Sequence, residues 1–210
     1  MALSKNGMMF VLSSPSGVGK TTLTKKISQN NKNFLISISH TTRKPRVNEV
    51  NGKDYFFINE KEFNKLIKAS SFFEYAKIFD NYYGTTKKQV LDIVDKGKDV
   101  LFDIDWQGTQ QLKKIKARSL ITFFIIPPNI ETLKNRLVNR HKGEEKMISK
   151  RMEKFAEEIS HWNEYNYVLI NDDLEECYEK ILDIMLSEKK GIKKKQDLSI
   201  IKEKISELTK

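Results

Sequence analysis

The apolar pattern begins with an unbroken run, Met8-Met9-Phe10-Val11-Leu12, set between polar flanks and too short to be a helix. Runs of this kind read as strands buried on both faces. Mostly apolar stretches at 99–104, at 120–126, which Thr122 interrupts and Pro127-Pro128 stops, and at 167–170 read the same way. Between them the period becomes helical over 20–30, 86–96 (closed by Gly97), 107–116, 130–140, 147–163 and 174–189. Asn129 is placed to cap the helix after it, and 141–146 is a charged break. Strands alternating with helices predict an α/β fold on a parallel, doubly wound sheet.

Residues from about 36 to 86 depart from that rhythm. The segment 34–39 alternates weakly, and 40–54 is polar, with Pro45 and the turn pair Asn51-Gly52. A short strand at 55–58 and a helix at 60–69 follow, then strands at 72–79 and 82–84 about a turn at Asp80-Asn81. This predicts a small strand-rich lobe inserted into the parallel core. Beyond Lys189 the period weakens to Ile192, Leu198, Ile201, Ile205 and Leu208, which fits either a short amphipathic helix or a frayed end.

The first strand leads into Ser13-Ser14-Pro15-Ser16-Gly17-Val18-Gly19-Lys20-Thr21-Thr22. This matches the phosphate-binding loop Gly-x-x-x-x-Gly-Lys-Ser/Thr, with Ser14 in the first glycine slot. Gly17 and Gly19 let the backbone curl its N–H groups inward, and the helix from Lys20 adds the positive end of its dipole. Lys20 would bridge the β- and γ-phosphates, and the Thr21 hydroxyl would hold Mg²⁺. The ligand is a nucleoside triphosphate; the loop alone names no reaction.

Composition narrows the class. The 210 residues suffice for one core with attached lobes. No apolar stretch approaches the ~20 residues needed to span a bilayer, and no apolar signal segment opens the sequence. One cysteine, Cys177, fits packing in a reducing cytoplasm. The net charge of +10 lies mostly in lysine, 32 against six arginines, and +4 of it in 187–210. A lysine-rich solvated surface accounts for it, so no specific nucleic acid and no membrane is expected as partner. The arginines are the informative cations, because a planar fork suits phosphate. Arg43 and Arg46 form one group, and Arg136, Arg140 and Arg151 another.

Six further stretches carry a resemblance: Ser39-His40-Thr41-Thr42-Arg43-Lys44-Pro45-Arg46, Gly52-Lys53-Asp54-Tyr55-Phe56-Phe57, Phe73-Glu74-Tyr75-Ala76, Asn81-Tyr82-Tyr83-Gly84-Thr85, Asp103-Ile104-Asp105-Trp106-Gln107-Gly108, and Val168-Leu169-Ile170-Asn171. In order and spacing they resemble the bacterial guanylate kinases, from about residue 6 to 187. The resemblance implies a core of 6–35, 87–129 and 152–187, a GMP-binding lobe of 36–86, a helical lid of 130–151 and a basic tail of 188–210. It implies Mg²⁺-dependent transfer of the ATP γ-phosphate to GMP, with dGMP as a second candidate acceptor. It leaves open a homo-oligomer.

The resemblance also distributes roles. ATP would take Ser14 to Thr22, including Pro15, Ser16, Val18 and Thr22, with Asn171 near its adenine. Ser39 and Thr85 would donate to guanine O6 and N7. Asp105 would be a second acceptor for the guanine amine. Arg43, Arg46, Tyr55 and Tyr83 would hold the GMP phosphate. Asp103 would act as a Walker-B-like acid, holding Mg²⁺ through water or orienting an arginine. Lys20 and the lid arginines Arg136, Arg140 and Arg151 would close on the transferring group, where His141 replaces a usual glycine. Glu74 also has a chemical argument of its own. Guanine presents N1–H and N2–H₂ as adjacent donors to a carboxylate, whereas adenine presents an acceptor there. Rival readings are a non-catalytic scaffold of the same fold and a loop-containing kinase for a phosphorylated sugar.

Overall fold

The computed structural model describes residues 7–115, 119–140 and 144–210, with Arg140 described by its backbone alone. Arg118 and His141 lie outside the described residues. Two sheets organise the chain. The first is parallel throughout, in the order β2 (Phe34–Ile36), β7 (Asp99–Asp103), β1 (Met9–Ser13), β8 (Leu120–Ile126), β9 (Tyr167–Ile170). Every residue of β1 is buried, as expected of a strand with helices on both faces. Phe10 and Leu12 point into one apolar layer with Leu23 and Ile27 of α1 (Lys20–Asn30) and Ile181 and Met185 of α7 (Leu174–Lys189). Met9 and Val11 point into the other, with Val90 of α3 (Lys87–Val94) and Leu112 of α4 (Trp106–Lys114).

The second sheet, β4 (Phe56–Phe57), β3 (His40–Thr41), β6 (Asn81–Thr86), β5 (Phe72–Ile78), is mixed, and α2 (Glu60–Lys68) is joined to it. Asn59 and Glu62 start α2 with a reciprocal capping box. Along β5 burial alternates, so Phe72, Glu74 and Ala76 share the inward face. A carboxylate thus stands where the alternation reserves an apolar side chain. A register shift between Phe72 and Glu74 sets Glu74 opposite Thr85. The hairpin turns at Phe79-Asp80, one residue before the expected Asp80-Asn81, because Ile78 pairs with Asn81.

Two helices follow β8: α5 (Ile130–Arg140), whose Thr132 N–H donates to Asn129 Oδ1 at 2.7 Å, and α6 (Glu145–Ser160). The tail is helical: α8 (Leu198–Leu208) buries Ile201 and Leu208 against the core. Before it, the Gln196 amide donates to Val168 O and accepts from Val168 N–H at 3.0 Å, closing the free edge of β9.

Candidate active site

Parallel pairing places the carboxyl ends of β1, β7, β8 and β9 side by side, where open α/β sheets bind ligands. Leu12 lies in register with Asp103, and Asn171 directly follows β9. A cleft of about 640 Å³ opens there, lined from both sheets by the phosphate loop, Asp103, Asp105, Glu74, Arg43 and Arg151 among others.

The loop takes its curl from two glycines in the left-handed region, Gly17 at φ 91° and Gly19 at φ 106°. A β-carbon at Gly19 would stand 2.6 Å from Asn171 Nδ2, so only glycine fits against that amide. Asn171, 2% exposed, donates from Nδ2 to Val18 O at 2.6 Å and so braces the loop. Ser14 lines the cleft, and its hydroxyl donates to Pro15 O at 2.9 Å. Lys20 Nζ reaches Asp103 Oδ1 and Ile104 O, each at 2.8 Å. Thr21 and Thr22 are exposed at the helix start.

The lid arginines divide. Arg151 NH1 donates to the Ser16 hydroxyl, at the mouth of the loop. Arg136 donates instead to backbone carbonyls, Val18 at 3.2 Å and Asn171 at 3.1 Å, and so also braces the loop's far side. The side chain of Arg140 lies outside the described residues.

Across the cleft, Glu74 is 3% exposed, and its Oε1 has no hydrogen-bond partner among the described residues. Burial pushes its carboxyl up to about 7; Thr85 opposes the shift and the charge of Asp105 reinforces it. Ser39 and Thr85 join hydroxyls at 3.2 Å. Asp105 accepts from Gly108 N–H at 3.0 Å, capping α4, and burial raises its carboxyl as well. Tyr55 packs edge-on to Tyr83, with ring centroids 6.0 Å apart, and the Arg43 guanidinium lies 5.4 Å from the Tyr55 ring. Burial, with the charge of Asp103, holds the Tyr55 phenol well above its ordinary range, so its hydroxyl keeps its proton.

Three site residues were not expected. Glu49 binds Arg43 NH2 with both oxygens, at 2.9 and 2.8 Å, and accepts from Arg46 N–H and NH1 at 2.8 and 3.2 Å. Burial would raise its carboxyl, but those hydrogen bonds hold it below its ordinary value. Its spacing of three from Arg46 was the available signal. Glu158 accepts from Ser16 N–H at 3.1 Å, and burial, reinforced by Asp105, pushes it up to about 7. It lies seven residues after Arg151, two helical turns on the same face. Gly108 leaves room for Glu74: a β-carbon there would stand 2.6 Å from Glu74 Oε2 and the carboxylate would have to shift.

A profile of the family described as "Guanylate kinase" matches residues 6–188. The guanylate kinase of Rickettsia felis is 47% identical over 189 residues, 90% of this chain and 98% of the relative. That of Novosphingobium aromaticivorans is 44% identical over 188 residues, 90% and 85% respectively. The crystal structure of guanylate kinase from Anaplasma phagocytophilum superposes with a TM-score of 0.72 at 36% identity, covering 89% of this chain and 88% of that one. With its parallel core, its second mixed sheet and its phosphate loop, the chain belongs to the guanylate kinase family, the ATP:GMP phosphotransferases.

Proposed function

We propose that the cleft works as a two-nucleotide site, with the phosphate loop holding ATP and the second sheet holding GMP. The observation that carries the acceptor assignment is the buried Glu74 carboxylate with its partnerless Oε1. Guanine supplies the two adjacent N–H donors such a group needs, and adenine leaves it facing an acceptor. A site built around buried polar groups can reject the wrong partner by about 10⁴–10⁵. Asp105 sits close enough to raise Glu74 by its charge, which fits a second acceptor for the exocyclic amine. Ser39 and Thr85 supply hydroxyl donors to the opposite edge of the base. Arg43, Arg46, Tyr55 and Tyr83 converge on the acceptor phosphate, with Glu49 fixing the two arginine forks beforehand.

A non-bridging oxygen of the GMP phosphate attacks the γ-phosphorus in line. The bond from that phosphorus to the β,γ-bridging oxygen breaks, and ADP leaves with the oxygen. The attacking oxygen is already anionic, so no general base is required. What the protein contributes is position and charge. The loop N–H groups and Lys20 cradle the donor phosphates, while Asp103 holds the Lys20 ammonium in place. Arg151 and Arg140 act on the transferring group; an arginine in that role can be worth about 10³–10⁵ in rate. Arg136 supports the loop from its carbonyl side. Closure of the two halves keeps water from the γ-phosphate.

The donors near the loop fit Mg²⁺. The Thr21 hydroxyl and the Asp103 carboxylate are oxygen ligands, and this ion takes one or two protein oxygens alongside phosphates and waters. Thr21 would hold it directly and Asp103 through water, and the ion when bound neutralises charge on the β- and γ-phosphates. Cys177 takes no part: it is buried, and burial pushes its thiol up to about 12. Among the described residues no helix is long and apolar enough to cross a membrane. A reducing cytoplasm suits this chemistry and the single thiol.

The test is direct measurement of ADP release with GMP, AMP, CMP and UMP as acceptors. GMP is expected to exceed the others by at least about 10³ in kcat/KM. Equal rates with AMP and GMP would contradict the role given to Glu74.

A further inference from the structure

The two-residue loop of the β5–β6 hairpin holds a conformation that its sequence does not favour. Phe79 is its first residue, at φ 54°, while Asp80 has no positive φ. Positive φ at the first position alone is the pattern of a type II′ turn, whose usual occupant there is glycine. A bulky aromatic side chain rarely adopts it, and such outliers persist where the surroundings impose them.

The surroundings are visible. The Phe79 ring lines the cleft, and α6 lays two cations on it, one helical turn apart. Arg151 Cζ is 5.5 Å and Lys154 Nζ 4.8 Å from the ring centroid. The same Arg151 donates to the Ser16 hydroxyl, and Glu158, on the same face of the helix, accepts from Ser16 N–H. Arg151 therefore lies between the tip of the acceptor sheet and the phosphate loop.

We propose that Phe79 is a positioning residue for phosphoryl transfer: its ring holds the Arg151 guanidinium over the phosphate loop and ties that aim to the approach of the acceptor sheet. The inference rests on the reading of Arg151 as a group that acts on the transferring phosphoryl. Phe79 does not touch the reacting atoms. Its hold on Arg151 is a cation–π attraction, which corresponds to roughly a 2- to 30-fold effect depending on solvent exposure.

The experiment measures kcat, both KM values and the thermal midpoint for F79G, F79L, F79Y, R151A and the R151A/F79L pair. Glycine suits the turn, so F79G is expected to melt within a few degrees of the parent while losing about tenfold in kcat. F79L, which keeps bulk but has no π face, is expected to lose a similar factor. F79Y, which keeps the face, should recover most of it. KM for ATP should stay within about twofold throughout. R151A/F79L should be no slower than R151A, since the ring acts through that arginine. Parental kcat in F79G and F79L would overturn the inference, as would F79L and F79Y behaving alike. A further loss in R151A/F79L equal to that of F79L alone would also overturn it. If R151A keeps the parental rate, it is the reading of Arg151 that has failed, and this inference with it. If R151A is crippled and F79L is not, only the role of Phe79 has failed.

Discussion

Protonation of Glu74 should switch off acceptor recognition within the physiological pH range. The carboxyl is raised to about 7, first by burial, with Asp105 adding to the shift and Thr85 opposing it. Two adjacent guanine donors require the ionised form, which alone offers acceptors on both oxygens. If only that form binds, the apparent KM for GMP scales with the reciprocal of the ionised fraction. The factor is about 1.1 at pH 8, about 2 at pH 7 and about 11 at pH 6. KM for GMP should therefore rise about tenfold between pH 8 and pH 6, with KM for ATP much less affected. The phosphate of GMP itself titrates near pH 6, so the comparison is with E74Q, which keeps that contribution and lacks the carboxylate. E74Q offers one acceptor and one misplaced donor, and should lose about 100-fold or more in kcat/KM for GMP. A wild-type to E74Q ratio that stays flat from pH 6 to 8 would refute the titration of Glu74 as the recognising group. Linkage gives an independent sign. Between its unfolded value near 4.5 and about 7, the folded state holds this proton longer than the unfolded state does. Stability from this group is therefore present at low pH and falls by about 3 kcal/mol as pH rises through that window. Added GMP should stabilise the protein more at pH 8 than at pH 6, the opposite slope, in paired thermal melts.

Other substitutions separate the parts of the site. G108A places a β-carbon 2.6 Å from Glu74 Oε2 and must displace it. Alanine also favours the helix by about 1 kcal/mol, so KM for GMP should rise about tenfold with no loss in thermal midpoint; unchanged KM would show that Glu74 is free to move. E49A removes the group that pairs both acceptor arginines and should raise KM for GMP by about 5- to 10-fold, leaving KM for ATP unchanged. Tighter GMP binding would mean that Glu49 competes with the phosphate rather than prepares its site. Deleting 192–210 strips Ile201 and Leu208 from the core, each worth about 1.5–3 kcal/mol before ordering costs, and reopens the β9 edge. The midpoint should fall by roughly 5–10 °C, with kcat within about twofold, because no tail residue lines the cleft.

What could be read in the sequence follows from how local each cause is. β1 and β8 appear as short apolar runs, the second interrupted by Thr122 alone, because both faces are covered, and α5 begins where Asn129 can cap it. The short strand expected at 55–58 is β4, but the two-residue β3 falls in the stretch that reads as a polar loop, because it carries too few positions for any period to show. The hairpin turn was misplaced by one residue because Asp80 and Asn81 have turn chemistry, whereas the ladder from Tyr75 to Ile78 sets the register and puts Phe79 in the loop. The tail stays ambiguous in the sequence because its anchors are distant: Ile201 and Leu208 gain meaning only within the core cluster, and Lys194 and Gln196 only against Tyr167 and Val168. At the site, Lys20, Glu74 and the arginines stand out because, on the proposed reading, their chemistry is addressed to a ligand. Glu158 and Glu49 are addressed to other residues, and the partner of Glu158 is 142 positions away. That difference also explains the charge layout. Glu74, Asp105 and Glu158 are all raised by burial, and the charge of Lys20 lowers each of them. One ammonium thus moderates three buried acids, joined at Glu158 by the charge of Arg151, while Arg43 and Arg46 are paired with Glu49. On the proposed reading the cleft is divided: Glu74 and Asp105 face the donors of the base, and Lys20 and the arginines face the phosphates. A nucleotide bound in reverse would set its phosphate against those carboxylates and the N–H donors of its base against the arginines, so the orientation of the acceptor follows from the arrangement of charge as much as from its shape.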